Sequence, residues 1–335
     1  MDNRSPILEL KHITKRFGNI TANEDVSMEL YEGEILALLG ENGSGKTTLM
    51  NALAGIYYPE EGEIFVRGKE VSINSPRTAY ELGIGMIHQH FKLIDVLSAA
   101  ENIVLGLKDR KRYDLRAANA RIREICDKYG FDVDPNQKIY DMSVSQKHTV
   151  EIVKVLFRGA DILILDEPTA VLTPQETEKL FHVLRNMKSD GKSIIIITHK
   201  LNEVLEISDR VAILRKGKYI CDITTSEADT QQLTDAMVGH AVTLNINREE
   251  PNDPKDKIIV DHLTVRNQDG VAKLKDISFT ARTGEILGIA GISGNGQKEL
   301  LEAIAGLRHI DSGSIIYSPE GKAPEELVGK SPMEI

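Results

Sequence analysis

The sequence has no tryptophan, only two cysteines in 335 residues, and just 5% aromatic side chains. Cys126 and Cys221 lie far apart and have no partners at metal-ligand spacing, which argues against a disulfide framework. The most apolar runs, ILALLG, ILILD and SIIIIT, are too short to span a bilayer, and the N-terminus has no signal-peptide pattern. The net charge is −10, which disfavours a general nucleic-acid or anionic-lipid surface. These absences predict a protein of the reducing cytosol.

One stretch of the sequence occurs twice. NEDVSMELYEGEILALLGENGSGKTTLMNALAG, residues 23–55, returns as LKDISFTARTGEILGIAGISGNGQKELLEAIAG at residues 274–306, with a constant offset of 251. A constant offset indicates duplicated domains. The charged, proline-containing segment between the copies is typical of a linker. We therefore expect a first domain over 1–247, a linker over 248–257 and an incomplete second copy over 258–335.

Short apolar runs alternate with amphipathic stretches in the first copy. EILALLG, ADILILDEP and SIIIITH predict buried strands over 34–40, 160–168 and 193–199, and helices are predicted after the first glycine turn, within 99–129 and from residue 176. This alternation predicts an α/β fold with a parallel sheet covered on both faces. In the second copy EILGIAG, residues 285–291, predicts a strand with no later strands to pair with it.

GENGSGKTT matches the G-x-x-x-x-G-K-[ST] pattern between a predicted strand and a predicted helix. Glycines let backbone N–H groups converge on an anion, and the helix N-terminus adds partial positive charge. Lys46 would reach the β- and γ-phosphates, and the Thr47 hydroxyl would bind Mg²⁺. The residues of this nucleotide-binding loop are Gly40, Glu41, Asn42, Gly43, Ser44, Gly45, Lys46, Thr47 and Thr48.

Further polar residues follow the other predicted strands. Asp166 and Glu167 end the ILILDE strand, where Asp166 suits Mg²⁺ held through water and Glu167 suits a general base for an attacking water. His199 ends SIIIITH at the same sheet edge, where an imidazole can hydrogen-bond a γ-phosphate. Gln89, in GMIHQHF, would sense the magnesium ion. Each of these residues would be unremarkable alone. Together with the phosphate loop they indicate a site for nucleotide binding.

Together these motifs resemble the ATPase subunits of ABC transporters over essentially the whole first copy. The resemblance implies a P-loop NTPase fold of ABC type, with a parallel-rich core sheet, an antiparallel β subdomain and a helical subdomain, plus a partial second copy. It implies that Phe17, in KRFG, stacks on adenine and that Gln89, Glu167 and His199 act with Lys46 in catalysis. Thr47, Gln89 and Asp166 would bind Mg²⁺.

The signature loop of the family, usually LSGGQ, stands here as MSVSQ, residues 142–146. The resemblance implies that Ser143 and Gln146 bind the nucleotide of a partner domain. However, Ser145 replaces a glycine, and we expect its Cβ to obstruct that approach. In the second copy Gln297 stands where the lysine belongs and Lys298 where the hydroxyl belongs, so we expect no hydrolysis there. The competent site then needs a second ABC domain, from a homodimer or from a longer chain of which this is a truncated version, and truncation is favoured.

The stretches GMIHQHFKL, ENIVLG and LDEPTAVLTPQE resemble the double-domain ATPases of simple-sugar and nucleoside importers, with the nucleoside branch favoured. The resemblance implies a subunit that binds ATP with Mg²⁺, lies on the cytoplasmic side of the cell membrane, and works with membrane permease subunits and a solute-binding protein. No nucleic-acid partner is expected. The alternatives are a soluble duplicated ABC protein acting on ribosomes or DNA, and a nucleotide-binding switch without hydrolysis.

Overall fold

The computed structural model describes residues 5–89, 91–107, 114–241, 253–267, 270–291 and 294–335. The chain divides into two compact units, residues 1–244 and 245–335. The expected domain boundary at 247 and the first half of the expected linker, 248–252, lie outside the described residues. Among the described residues, no helix has both the length and the apolar character needed to cross a membrane.

The first unit contains two sheets. The antiparallel sheet has the order β2-β1-β4-β5, and the core sheet has the order β10-β9-β3-β8-β7-β6. All neighbours in the core sheet pair in parallel except β10 and β9. The strands are β1 (Pro6–Phe17), β2 (Ile20–Tyr31), β3 (Ile35–Leu39), β4 (Glu61–Val66), β5 (Lys69–Val71), β6 (Ile84–Ile87), β7 (Ile162–Asp166), β8 (Ser193–Ile197), β9 (Arg210–Arg215) and β10 (Lys218–Thr224).

The helices of this unit lie between the strands, as the alternating sequence pattern predicts. They are α1 (Lys46–Leu53), α2 (Pro76–Glu81), α3 (Ala99–Val104), α4 (Leu115–Tyr129), α5 (Val144–Phe157), α6 (Pro174–Ser189), α7 (Leu201–Ile207) and α8 (Thr230–Val238). The helical segment expected within 99–129 is divided into α3 and α4, and residues 108–113 between them lie outside the described part of the chain. The α/β fold, with its parallel-rich sheet and separate antiparallel sheet, is confirmed.

The central strands form because their residues are apolar on both faces. Every residue of β3, β7 and β8 is buried, as expected for a parallel sheet covered by helices on each side. One core cluster packs the sheet against α1 and the antiparallel sheet, and another packs it against α6. A third cluster joins α3, α4 and α5 into a helical subdomain. The core sheet is therefore a rigid support for the loops at its carboxyl edge.

The second unit repeats the antiparallel sheet of the first. Its strands β11 (Asp256–Arg266), β12 (Ala272–Arg282), β13 (Ser312–Tyr317) and β14 (Glu325–Glu326) have the order β12-β11-β13-β14, and α9 (Gln297–Ile304) is its helix. The backbone repeats in detail, since Gly62 and Gly313 have φ angles of +102° and +99°. The two copies thus have the same local structure over the repeated sequence.

The strand expected at 285–291 is not present. These residues have no assigned secondary structure, and Ile286 is 76% exposed, whereas its equivalent in the first copy, Ile35, is completely buried. In the first unit β3 is held by β8 and β9, which follow it by more than a hundred residues. The described part of the second unit contains no equivalents of β8 and β9, so its apolar segment has no strand to pair with. The prediction of a strand was wrong because an apolar run forms a strand of a parallel sheet only where neighbouring strands supply its hydrogen bonds.

Candidate functional site

A cavity of about 540 Å³ opens at the carboxyl edge of the core sheet. Its volume lies in the range of small-molecule sites. The turn after β3, the ends of β7 and β8, and the start of β2 all contribute to it. Its lining consists of Ile20, Thr21, Ala22, Asn42, Gly43, Ser44, Gly45, Lys46, Thr47, Thr48, Gln89, Asp166, Glu167, Ile197 and His199. The structure thus brings together the phosphate loop and the polar residues that follow three separate strands.

The turn between β3 and α1 holds a buried lysine. Lys46 is 7% exposed, and its ammonium group donates to the carbonyl oxygens of Gly40 and Glu41 at 2.7 and 2.9 Å. Burial lowers the pKa of Lys46, and the nearby charges of Glu167 and Asp166 oppose that shift. A buried cation at a helix N-terminus is an arrangement that favours an anionic ligand.

Asp166 lies at the end of β7 beside this lysine. Its carboxyl group is buried, and burial raises its pKa, whereas a hydrogen bond from the Thr47 hydroxyl and the charge of Lys46 act to lower it. Thr47 and Asp166, which are remote in sequence, are therefore in contact. Both residues line the cavity together with Lys46.

Glu167 is held between two other predicted residues. Its Oε1 lies 3.0 Å from His199 Nδ1, and its Oε2 accepts a hydrogen bond from Gln89 Nε2 at 3.2 Å. Because a carboxylate only accepts, the histidine tautomer with a proton on Nδ1 fits this contact. The backbone of Glu167 has a φ of +48°, and its N–H donates to the carbonyl of Ile197 at 2.9 Å. A positive φ is unusual for a glutamate, and the Glu167 side chain lines the cavity.

Phe17 does not line this cavity. It is 43% exposed and makes an edge-to-face contact with Tyr57, with ring centroids 5.1 Å apart. The cavity wall on this side comes instead from Ile20, Thr21 and Ala22. Sequence reasoning missed these three residues, since they carry no motif and precede the phosphate loop by about twenty positions. Phe17 pairs across the sheet with Ile20, the first residue of this wall.

Ser143 and Gln146 lie elsewhere, at the start of α5. Each caps the other, since the Ser143 hydroxyl accepts from the Gln146 N–H at 3.2 Å and the Gln146 side chain accepts from the Ser143 N–H at 3.0 Å. They line a separate cavity of about 220 Å³, together with Ser145 and Glu176. Thus the first unit by itself does not bring the MSVSQ residues to the phosphate loop.

A larger open cavity of about 1060 Å³ lies along β1, β2 and β10. Its lining includes ion pairs formed within the protein, since Arg210 binds Glu34 at 2.8 Å and Asp222 at 2.9 Å. None of the predicted site residues lines it. Size alone therefore does not identify the functional site, since the predicted residues line the smaller cavity.

The second copy has a different arrangement at its glycine turn. Gln297 replaces the lysine. Its side-chain Nε2 is so close to Gly291 that a Cβ added to this glycine would lie only 2.7 Å from it. Lys298 is 80% exposed and lies 3.8 Å from Glu302. The described residues of this turn therefore present no buried ammonium group. Ile292 and Ser293 of the turn lie outside the described residues.

Comparison with known proteins agrees with this geometry. Residues 23–170 match the ABC transporter domain family. The chain is 48% identical over 312 residues to the nucleoside import ATP-binding protein NupA of Lactococcus lactis, covering 92% of this chain and 62% of that protein. It is 47% identical over 323 residues to the guanosine import ATP-binding protein NupO of Bacillus subtilis, covering 96% and 63%. The chain thus spans a little over three fifths of the length of these relatives.

Solved structures show the same fold. CbiO1 of Clostridium perfringens, part of an ABC transporter complex, superposes with a TM-score of 0.59 at 28% identity, over 66% of this chain and 90% of that one. The ATP-binding cassette MJ1267 gives a TM-score of 0.62 at 24% identity, over 70% and 98%. The alternative of a protein acting on ribosomes or DNA gains no support from these relatives. The phosphate-loop geometry, the core sheet and the sequence relatives agree, and residues 23–170 of the chain belong to the ABC transporter family.

Proposed function

We propose that this chain binds ATP with Mg²⁺ in the 540 Å³ cavity, hydrolyses it, and so energises a membrane importer of nucleosides. The observation that carries the proposal is the position of Glu167, whose carboxylate is held by Gln89 and His199 in the same cavity as Lys46 and Asp166. Hydrolysis requires a base beside the terminal phosphate, and this arrangement supplies one.

ATP would bind through its phosphates at the turn from Gly40 to Thr48. Lys46 would exchange its two backbone carbonyl contacts for phosphate oxygens, which are stronger acceptors for an ammonium group. The N–H groups at the start of α1 add further donors to the phosphates. On the other wall, Phe17 would stack on the adenine ring, since it is 43% exposed and pairs across the sheet with Ile20, which lines the cavity.

The residues present fit a magnesium ion. Thr47 and Asp166 offer hard oxygen ligands in mutual contact, and Gln89 adds an amide oxygen. Among the described residues no cluster of three or more His, Cys, Asp or Glu side chains can hold a metal, which suits an ion shared between two or three protein oxygens and a phosphate. Bound there, Mg²⁺ would neutralise charge on the β- and γ-phosphates.

In the catalytic step, Glu167 would accept a proton from the attacking water. His199 would hold the carboxylate by donating its Nδ1–H to Glu167 Oε1. Gln89 would hold the second carboxylate oxygen, so that both oxygens of Glu167 are held before ATP binds. The protein's own contribution is thus a pre-oriented base beside a buried cation.

The transported solute is proposed from the relatives. The two at 47–48% identity are named for nucleoside and guanosine import, whereas a glucose import ATP-binding protein of Haloferax volcanii is 40% identical. Nucleosides are therefore preferred over simple sugars. We propose that the partners are membrane permease subunits and a solute-binding protein, and that the chain works as a peripheral protein on the cytoplasmic side of the membrane.

The domain organisation is proposed as an ATP-binding domain over 1–247, a linker over 248–257 and a degenerate, incomplete second ABC domain over 258–335. The division into compact units at 244 and the repeated antiparallel sheet support it. Ser143 and Gln146 lie apart from the phosphate loop, so they would act on nucleotide bound by a second ABC domain. That domain would come from a longer chain or from a second copy.

Replacing Lys46 by alanine tests the nucleotide site. The variant loses the buried cation, and we expect its affinity for MgATP to fall by at least about a hundredfold, as for a lost charge-assisted contact. Isothermal titration calorimetry on the whole chain measures this affinity. Lys298→Ala, in the second copy, is the matched control and should leave it unchanged. Undiminished binding by Lys46→Ala would remove the basis of the proposed function.

A further inference from the structure

Asn23, in strand β2, has a polar side chain that is completely buried. Its amide Nδ2 donates to the carbonyl oxygen of Gly45 at 3.1 Å. Gly45 is the N-cap residue of α1 and directly precedes Lys46 and Thr47. A side chain from a different sheet therefore holds the backbone at the point where the phosphate loop becomes a helix.

The packing at this contact leaves almost no room for adjustment. Gly45 has a φ of +96°, and a Cβ added there would lie 2.3 Å from the Ala22 carbonyl oxygen and 2.5 Å from Asn23 Nδ2. The same Gly45 carbonyl accepts the N–H of Leu49 at 2.9 Å, which forms the first turn of α1. The amide of Asn23 thus shares its acceptor with the helix, and it fixes both the loop and the helix start.

This asparagine is not what packing alone would favour. Its Oδ1 is buried, and no donor among the described residues reaches it. A buried, unsatisfied acceptor costs stability, and exchanging the two amide atoms would turn oxygen towards the Gly45 carbonyl. An apolar side chain in this position would avoid the cost.

The second copy contains that apolar alternative. Leu274 occupies the position equivalent to Asn23, and its Cδ2 would lie 2.7 Å from a Cβ on Gly296, the equivalent of Gly45. Gly296 has nearly the same φ, +95°. The same backbone therefore forms with leucine in the copy that has Gln297, and with asparagine in the copy that has Lys46.

We propose that Asn23 is a positioning residue for ATP binding, which acts by holding the Gly45 carbonyl so that Lys46 and Thr47 face the phosphates. The inference rests on the proposed nucleotide site and deepens it. Asn23 need not touch the nucleotide, because its effect passes through one hydrogen bond to the loop. The buried amide oxygen of Asn23 lowers stability, whereas its amide nitrogen holds the loop in the geometry for binding. Functional sites commonly depart from the most stable packing in this way.

The test compares Asn23→Leu and Asn23→Ala with the unchanged protein, using the whole chain. Titration calorimetry with MgATP and with inorganic tripolyphosphate, which has the phosphates but no base or sugar, measures the affinities. We expect both variants to bind both ligands about three- to tenfold more weakly, as for one lost hydrogen bond. The urea midpoint of unfolding for Asn23→Leu should equal or exceed that of the unchanged protein, because the unsatisfied acceptor is gone.

The controls separate this inference from other causes. Leu274→Asn, in the second copy, should leave both affinities unchanged. Unchanged affinity in both Asn23 variants, a loss confined to Asn23→Leu, or a loss with ATP but not with tripolyphosphate would each overturn the inference. So would weaker binding that tracks a lower urea midpoint, since that indicates a structural role. If Lys46→Ala abolishes binding and the Asn23 variants keep it, only the inference fails; if the unchanged protein binds neither ligand, the proposed function fails as well.

Discussion

Replacing Glu167 by glutamine removes one negative charge from the site and keeps the shape of the side chain. In the structure the two carboxylate oxygens lie 3.0 Å from His199 Nδ1 and 3.2 Å from Gln89 Nε2, so both accept hydrogen bonds. A glutamine has only one oxygen, and its NH₂ group would face a donor on the other side. The substitution therefore removes one hydrogen bond, at a cost of about 1 kcal/mol in folding free energy.

The expected loss in turnover is much larger than this cost. General-base catalysis contributes about 10²- to 10⁴-fold in rate, which corresponds to about 2.7 to 5.5 kcal/mol in activation free energy. The backbone of Glu167 is held separately, by its N–H bond to the Ile197 carbonyl, so the position of residue 167 should persist. We therefore expect Glu167→Gln to bind MgATP at least as tightly as the unchanged protein, and to release phosphate at least about a hundredfold more slowly.

Phosphate release at saturating MgATP measures turnover, and calorimetry measures affinity. The assay should cover a range of protein concentrations, because a site completed by a second copy gains turnover as concentration rises. Glu178→Gln on the exposed side of α6 is the matched control and should behave like the unchanged protein. Equal, measurable turnover in Glu167→Gln and the unchanged protein would refute the assignment of the base. Tight binding with negligible turnover in both would instead indicate a nucleotide-binding switch without hydrolysis.

Two further predictions concern ionisable groups. Burial lowers the pKa of His148 from 6.5 to about 4. Between pH 4 and pH 6.5 this histidine is therefore protonated in the unfolded chain but not in the folded chain. Stability is then fully present above pH 6.5 and falls by about 3 kcal/mol towards pH 4. Urea unfolding across this range should show a shallower pH dependence in His148→Leu, and equal slopes would contradict the reasoning. Magnesium should increase the ATP affinity of Asp166→Asn about tenfold less than it increases that of the unchanged protein, because the metal loses a charged ligand. Binding of ATP in EDTA should not weaken. Titrations with and without magnesium decide this, and an unchanged magnesium effect would contradict it.

Much of the site could be predicted because its parts are encoded in short stretches. The glycine turn with Lys46 follows an apolar strand, and Asp166, Glu167 and His199 follow two others. Parallel strands place their carboxyl ends at one edge, so these residues meet wherever the strands form one sheet. The repeat with its offset of 251 likewise needed only the sequence.

Other features depended on contacts between distant parts of the chain. The wall formed by Ile20 to Ala22 and the buried amide of Asn23 belong to the antiparallel sheet, and no local pattern relates them to the phosphate loop. The φ of +48° at Glu167 is likewise a product of the surrounding structure. Propensity and periodicity describe neighbours along the chain, whereas these contacts join residues twenty to eighty positions apart.

The clearest contrast lies in two nearly identical stretches. EILALLG, residues 34–40, contains a completely buried strand, whereas EILGIAG, residues 285–291, forms none in the described structure. By itself the sequence determined the apolar run, the glycine turn and the helix that follows. Only the tertiary structure decided whether that run became a strand, because a β-strand in a parallel sheet has no hydrogen bonds of its own and needs neighbours from elsewhere in the chain.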